Sequence, residues 1–324
     1  MKDCFTIPIS DCKKLLVELY VIGYSECGES IVMLFVDGSN KAVLYSVVID
    51  SYQLSDGTFK TDEILVNRGV SHIDVLCWSH PDTDHTKGIV GLVEKYCDKS
   101  SIIIIPDFMY GLNDDPIDYN ENDAQIIQQL FLLNNRLQKA VRPTGANSNC
   151  TGDAFSVCFS DEVNEIMVDF IAIAPHKDYL VENKREGIKI HKNYLSICLL
   201  INVGPYKFVF TGDLEERTIN HIVKYPFEFP LFLKIPHHCS INAGNLFDIL
   251  QLRKSSMSCT TTYNSKGLPN KAMLDTYRQK CTYVHSTGYH PDKPDGFGIV
   301  EYNCNLFDKH EIHIKCHGHA QKIV

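Results

Sequence analysis

The chain has 324 residues, of which 44% are hydrophobic and 22% are charged, and its formal net charge is −9. This composition is that of an ordinary soluble globular protein, and a chain of this length can bury a sizeable core. The acidic balance argues against broad, nonspecific binding of nucleic acid, but it does not exclude a local basic groove.

The cysteines and the N-terminus indicate the compartment. The thirteen cysteines form no Cys-x-x-Cys pair, and Cys77, Cys158 and Cys198 lie in apolar runs, so we expect reduced, buried thiols. The N-terminus lacks the basic start and apolar block of a signal peptide. No apolar run approaches the roughly 20 residues of a membrane-spanning helix. The sequence therefore predicts a cytoplasmic protein with no membrane partner.

Apolar runs bounded by turn residues predict strands, and apolar residues at helical spacing predict helices. In the first half, strands are predicted at 15–22, 30–36, 41–50, 73–78 and 102–105, helices at 61–68, 88–96 and 122–140, and a polar loop at 143–153. In the second half, strands are predicted at 155–159, 166–174, 196–203, 207–211, 231–235, 282–285 and 298–302, and helices at 215–224, 245–252 and 269–280. The tail that carries His310, His313, His317 and His319 is expected to be frayed and solvated.

The order of these elements predicts the fold class. Strands and helices are followed by strands and helices again, with no linker rich in Gly, Pro or Ser and no internal repeat. This order indicates a single domain spanning residues 1–324, in which two mixed β-sheets pack together and helices cover both outer faces. We therefore expect a four-layer αββα sandwich.

One short loop carries most of the chemical information. His80, Asp82, Asp84 and His85 lie within six residues, directly after the predicted strand 73–78. Carboxylates and imidazoles belong in water unless something pairs with them, and a divalent cation pairs with all of them at once.

Two further predicted strands end in the same residue types. Asp213 follows the strand 207–211, and His237 and His238 follow the strand 231–235. Strand ends that meet at one edge are where enzymes build sites. The three segments together predict a metal site.

Six motifs in this order resemble those of the metallo-β-lactamase superfamily, in the branch related to the hydrolase domain of the DNA-uptake protein ComEC. They are Val48-Ile49-Asp50, the loop from Ser79 to Gly88 with its His-x-Asp-x-Asp-His spacing, Asn193-Tyr194-Leu195-Ser196, Thr211-Gly212-Asp213, the segment from Leu233 to Ser240, and Tyr263-Asn264 with Gly267 and Pro269.

The resemblance implies a hydrolase with two divalent metal ions. His80 and Asp82 would hold one ion, Asp84 and His85 would hold the second together with His238 or His237, and Asp213 would bridge the two. A water between the ions would lose a proton near neutral pH and attack phosphorus or a carbonyl, and Asp84 would orient it. We prefer His238 as the ligand and His237 as a substrate contact. Asp50 would accept a hydrogen bond from a ligand imidazole.

The chain also departs from the family pattern. The superfamily usually supplies a histidine where this chain reads His191-Lys192-Asn193, Lys87 and Cys239 replace usual glycines, and Leu268 stands where the branch often has histidine. The resulting carboxylate-rich ligand set favours manganese or magnesium more than an all-histidine site would, and zinc remains an option.

Three functions fit these residues. The preferred one is a metal-dependent phosphodiesterase acting on DNA, RNA or a nucleotide. A solvated loop is the first interpretation of the basic residues Lys177, Lys184, Arg185, Lys189 and Lys192, and steering of a phosphodiester backbone towards the metals is the alternative. The second is a hydrolase of small esters, lactones or lactams, whose enclosed pocket Phe108, Met109 and Tyr110 would wall. The third is a catalytically silent adaptor, against which the many mutually repelling carboxylates argue.

Overall fold

The computed structural model of the chain describes residues 4–24, 26–106, 125–130, 143–146, 155–176, 181, 185–186, 191–222, 225–288 and 296–323. The strands are β1 (Cys4–Pro8), β2 (Leu15–Tyr24), β3 (Glu29–Asp37), β4 (Val43–Ile49), β5 (Val75–Cys77), β6 (Ile102–Pro106), β7 (Pro143–Ala146), β8 (Phe155–Ser160), β9 (Glu165–Ala174), β10 (Cys198–Val203), β11 (Tyr206–Phe210), β12 (Phe232–Lys234), β13 (Met257–Thr260), β14 (Tyr283–Ser286), β15 (Phe297–Asn305), β16 (Glu311–Gly318) and β17 (Gln321–Lys322). The α-helices whose bounds lie within the described residues are α1 (Lys60–Asn67), α2 (Thr83–Thr86), α3 (Ile89–Tyr96), α4 (Glu216–Ile219) and α5 (Lys271–Lys280).

These strands form two mixed sheets. The first sheet has the order β16-β15-β2-β3-β4-β5-β6-β7, and the second has the order β1-β8-β9-β10-β11-β12-β13-β14-β17. In the first sheet β2 and β3 pair antiparallel while β4 and β5 pair parallel. In the second, β10 and β11 are antiparallel while β11 and β12 are parallel.

Three apolar clusters separate four layers. One cluster fills the space between the two sheets. A second packs the outer face of the first sheet against α1 and α3, and a third packs the outer face of the second sheet against α4, α5 and the 3₁₀ helix Ile241–Asp248. The predicted αββα architecture, with two mixed sheets flanked by helices, is therefore confirmed.

The middle of β3, residues 31–36, is apolar without interruption because both of its faces are covered. Ile31, Met33 and Phe35 belong to the cluster between the sheets. Val32 and Leu34 point the other way, into the cluster beneath the helices. Because successive side chains of a strand alternate between faces, a strand covered on both sides needs apolar residues at every position.

The C-terminal tail differs from the expectation of a frayed end. Residues Glu311–Gly318 form β16, which pairs antiparallel with β15 along its whole length. The physical reason is a period of two: Ile312 and Ile314 pack against the cluster between the sheets, while His313 and His317 alternate with them.

Several predicted elements have other bounds or forms. The helix expected at 245–252 is the 3₁₀ helix Ile241–Asp248, which starts earlier because the Ser240 hydroxyl accepts from Asn242 N. The helix expected at 215–224 is reduced to α4. Strand β7 lies where a polar loop was expected, and β1 was not predicted. Of the helix expected at 122–140, residues 125–130 are helical and the rest lies outside the described residues.

Two further observations concern the cysteines and the helices. Cys77, Cys198 and Cys259 are buried free thiols. Within the described residues, no helix combines the length and the apolar character that crossing a bilayer requires.

Candidate metal centre

The predicted ligands meet at one end of the sandwich because they follow parallel strands. Asp50 follows β4, and the loop 79–85 follows β5 in the same sheet. In the other sheet Asp213 follows β11, and His237 comes soon after β12. The carboxyl ends of parallel strands share one edge, so both sheets contribute residues to a single site.

The loop after β5 turns directly into helix α2. Asp82 caps this helix, since its Oδ1 accepts from Thr83 N at 2.7 Å. The helical turn buries Asp84 and His85 completely or nearly so. A hydrogen bond of 3.0 Å from the indole of Trp78 to Thr86 Oγ1 fixes the helix against the strand.

Gly212 makes the turn that presents Asp213. Its φ of 50° lies in the left-handed region, which glycine adopts without strain. A Cβ at this position would lie 3.2 Å from the side chain of Ser79. The backbone N–H of Asp213 donates to Ser196 Oγ at 3.2 Å, which fixes the start of the loop.

Backbone strain marks the turn after β12. His237, His238 and Cys239 have φ values of 46°, 49° and 65°, a region that residues with a Cβ seldom adopt. Cys239 N donates to the carbonyl oxygen of Pro236 at 2.9 Å, closing the turn. Cys239 thus stands in a conformation that suits glycine, the residue expected there from the family pattern.

Four imidazoles face the carboxylate of Asp213 with their Nε2 atoms. His85 Nε2 lies 3.4 Å from Oδ1, and the Nε2 atoms of His238, His80 and His237 lie 3.7, 3.8 and 3.9 Å from Oδ2. These separations are too long for good hydrogen bonds. They are those of two atoms that share one cation at about 2.0–2.2 Å each.

Asp84 adds a second carboxylate to this cluster. Its Oδ2 lies 2.9 Å from His238 Nε2 and 3.6 Å from His85 Nε2. Asp84, His85 and His238 therefore form one group of possible ligands, beside the group made by His80, His85 and Asp213, whose ligand atoms lie within 4.8 Å of one another.

Carboxylates contact the Nδ1 atoms of two of the imidazoles, on the side of the ring away from Asp213. His85 Nδ1 lies 2.7 Å from Asp50 Oδ2, and His237 Nδ1 lies 3.0 Å from Glu215 Oε1. A carboxylate on Nδ1 fixes the ring and leaves the Nε2 lone pair free to bind a metal. Asp50 therefore has the orienting contact that the sequence predicts.

The other two imidazoles are held by hydroxyl groups. His80 Nδ1 lies 3.0 Å from Ser79 Oγ, which itself donates to Asp50 Oδ2 at 2.6 Å. His238 Nδ1 lies 2.8 Å from Thr261 Oγ1. All four rings thus present the same nitrogen to the same point.

The unpaired atoms at this point fit a metal. Several buried atoms have no hydrogen-bond partner here: His80 Nε2, His85 Nε2, His238 Nε2, Asp84 Oδ2 and Asp213 Oδ1. Buried polar atoms are ordinarily paired, so a group of them facing one point needs an explanation. Imidazole nitrogen and carboxylate oxygen are the usual ligands of zinc and manganese. The residues present fit divalent cations.

The charges support the same conclusion. Burial would raise the pKa of Asp213, but His238 and His85 hold it well below its usual range. Burial would lower the pKa of His85, but Asp84 and Asp213 raise it well above its usual range. The facing imidazoles, against the effect of burial, also lower the pKa of Asp84 to about 2. Without metal, protons on imidazoles balance the carboxylates, and a divalent cation can replace those protons.

Asp82 lies beside the cluster rather than within it. Its Oδ1 accepts from Lys192 Nζ at 3.0 Å in addition to capping α2, and its side chain is 33% exposed. The structure brings together six of the predicted site residues, namely His80, Asp84, His85, Asp213, His237 and His238. Asp82 joins them at the rim with one oxygen already engaged.

Sequence reasoning missed Glu215 and the role of Asn193. Glu215 accepts from Asn193 Nδ2 at 3.1 Å while it holds His237. The Asn-x-x-Ser segment therefore supports an imidazole from behind, at the place where the superfamily usually supplies a histidine. The sequence did contain one indication of Glu215, since it is a carboxylate two residues after Asp213 in the loop that follows β11.

A pocket of about 640 Å³ opens onto the cluster. Polar side chains dominate the part of its wall that the described residues form, among them Asn193, Asn242, Asn270, Tyr263 and Lys266. Ile241 and Leu268 are apolar residues of the same part. The ring of Tyr263 stands edge-on to His238, with 5.4 Å between centroids.

Some predicted contributors fall outside the described residues. They are Phe108, Met109 and Tyr110, expected as pocket walls, and Lys177, Lys184 and Lys189, expected to steer the substrate. Arg185 is described and exposed, and Lys192 contacts Asp82.

The sequence matches no protein-family model and no curated protein. Among solved structures, a new diphosphatase from the PhnP family is 11% identical, with a TM-score of 0.39, over 88% of this chain and 98% of that chain. AidC, a dizinc quorum-quenching lactonase in complex with a product, is 14% identical, with a TM-score of 0.30, over 57% of this chain and 56% of that chain. At these values neither likeness assigns a family or an activity.

Proposed function

We propose that this protein is a metal-dependent hydrolase that cleaves a phosphodiester. The observation that carries the proposal is the convergence of unpaired, buried imidazole Nε2 and carboxylate oxygen atoms on one point at the end of both sheets. The resemblance of the six motifs to the metallo-β-lactamase superfamily supports the same activity. The buried thiols support a reducing, cytoplasmic setting.

Two divalent cations, zinc or manganese with magnesium as a further option, would be held by this cluster. His80 with the free oxygen of Asp82 would form one half, Asp84, His85 and His238 the other, and Asp213 would serve both. When bound, the cations would supply Lewis acidity towards a water molecule and the phosphoryl oxygens.

The chain's own residues then position the reactants. Asp84 lines the pocket and accepts a proton or a hydrogen bond from a water molecule beside the cluster. His237 also lines the pocket, is 18% exposed, and is held by Glu215. These contacts support a role for His237 in contacting a substrate oxygen and donating a proton to the leaving group.

Hydrogen-bond donors on the described part of the pocket wall support a phosphodiester substrate. Amide, hydroxyl and ammonium groups of Asn193, Asn242, Asn270, Tyr263 and Lys266 can donate to phosphoryl oxygens. An ester or lactone with an apolar body would need a largely apolar pocket instead. The acidic net charge of −9 favours a nucleotide-sized substrate over a long nucleic-acid strand.

The test is hydrolysis of bis-p-nitrophenyl phosphate with manganese, zinc or magnesium. We expect metal-dependent release that falls by about 10²–10⁴-fold in Asp84→Asn, because that variant loses a carboxylate beside the reacting water. Asp62→Asn is the matched control, since Asp62 on α1 pairs with Lys95 at the surface. Its rate should equal that of the unmodified protein.

The outcomes separate the candidate functions. Release that disappears in Asp84→Asn supports the phosphodiesterase. Hydrolysis of p-nitrophenyl acetate or a lactone, with no release from the phosphodiester or from nucleotides, would replace it with the ester hydrolase. If the protein bound none of the three metals, the catalytically silent adaptor would be the remaining function.

A further inference from the structure

Building on the proposed function, we propose that a buried chain of contacts, Lys234–Glu29–Thr261, fixes the tautomer of His238 and so sets the metal affinity of the centre. These three are positioning residues. They act through His238 and do not touch the substrate.

This chain of contacts begins with an ion pair in the interior of the protein. Lys234 Nζ lies 2.7 Å from Glu29 Oε2, and both side chains are buried, with exposed fractions of 0% and 1%. Lys234 Nζ also donates to the carbonyl oxygen of Ile235 at 3.0 Å. Buried ion pairs seldom stabilise a fold more than apolar residues of the same size would, so this pair calls for a further role.

In this chain of contacts, each hydrogen bond has a fixed donor and a fixed acceptor. Thr261 Oγ1 lies 2.6 Å from Glu29 Oε2. A carboxylate paired with an ammonium group is ionised and can only accept, so the Thr261 hydroxyl must donate to it. Burial would raise the pKa of Glu29, but Lys234 and the nearby His85 lower it, consistent with the ionised form.

The Thr261 hydroxyl has a single hydrogen, and that hydrogen is used on Glu29. Its oxygen, 2.8 Å from His238 Nδ1, can therefore only accept. Nδ1 of His238 therefore carries a proton, and Nε2, 2.9 Å from Asp84 Oδ2, is the atom left to bind a cation.

Glu29 could instead be regarded as a ligand, because Glu29, His85 and His238 also form a cluster within 4.8 Å. Two contacts argue for the orienting role. Glu29 Oε2 lies 3.9 Å from Nδ1 of His238, on the side away from Asp213. Its charge is already balanced by Lys234.

The experiment compares two substitutions at one position. Thr261→Val removes the hydroxyl at nearly constant volume, and Thr261→Ser keeps it. Thr262→Val is the matched control, because Thr262 is equally buried and donates to the carbonyl oxygen of Tyr24. The readouts are the zinc dissociation constant by chelator competition, and the tautomer of His238 in the metal-free protein by ¹⁵N NMR.

We expect Thr261→Val to weaken zinc binding by about 10- to 100-fold, the usual effect of losing a partner behind a ligand imidazole. The Nδ1–H signal of His238 should give way to Nε2–H or a mixture. Thr261→Ser and Thr262→Val should keep both properties.

Wild-type zinc affinity together with a wild-type tautomer in Thr261→Val would overturn the proposal. So would an equal loss in Thr262→Val, which would indicate general loosening of the interior. If the unmodified protein bound no metal, the proposed function would fail, and the NMR readout alone would then decide on the chain of contacts.

Discussion

Two carboxylates at the centre, Asp50 and Glu215, contact imidazoles without facing Asp213. Asp50 supports His85 directly and His80 through Ser79, and Glu215 supports His237. Each fixes a ring whose Nε2 must reach a cation. The protein therefore uses two carboxylates to orient the imidazoles, as many as the two, Asp84 and Asp213, that it places among them.

Metal binding is expected to release protons from the centre. Because Asp84 and Asp213 raise the pKa of His85 well above its usual range, the metal-free imidazole is protonated at pH 7. Metal binding must displace that proton, so the apparent affinity should rise with pH by about a factor of ten per unit for each proton released. Calorimetry in buffers of different ionisation enthalpy measures the number. Zero protons released would contradict the arrangement of charges described above.

At the scale of elements, β12 links the core to the metal centre. Phe232 on β12 packs against Phe210 of the same sheet, with 5.6 Å between centroids, and against Tyr302 of the other sheet, with 5.3 Å between centroids. Three residues beyond the end of β12 comes the strained His237 turn. The aromatic contact therefore anchors the strand that carries two imidazoles.

Shortening the side chain of Phe232 tests how much this aromatic contact stabilises the protein. We expect Phe232→Ala to lower the free energy of unfolding of the metal-free protein by about 3–5 kcal/mol, through lost burial and the cavity left behind. Urea denaturation followed by circular dichroism measures it, and Phe232→Leu should lose less because it refills part of the space. A loss below about 1 kcal/mol would show that the two sheets do not depend on this contact.

The sequence predicts elements well where the signal is local. The apolar runs of β2, β3 and β4 and the crowded ligands of the loop 79–85 are visible within a few residues. Thr261 and Glu29 are not, because they are 232 positions apart and meet only when the two sheets pack. The prediction for the C-terminal tail was wrong for a related reason, since β16 is half polar and becomes a strand by pairing with β15.

At the scale of the whole molecule, net charge distinguishes small from large substrates. A protein of charge −9 repels anions at long range, and salt screens that repulsion. For a nucleotide-sized phosphodiester we expect kcat/KM to stay level or rise, by about twofold at most, between 50 and 300 mM salt. A long nucleic-acid footprint would instead give a steep decline. Initial rates across this range decide between them.

The division of the ligands between the sheets has a consequence for biosynthesis. His80, Asp84 and His85 come from the first sheet, whereas Asp213, His237 and His238 come from the second. A nascent chain with only its first half outside the ribosome has three of these six groups and lacks the carboxylate that all four imidazoles face. If the centre binds metal as proposed, ion uptake follows the folding of both halves, and the metal content of a preparation would measure the fraction of fully folded protein.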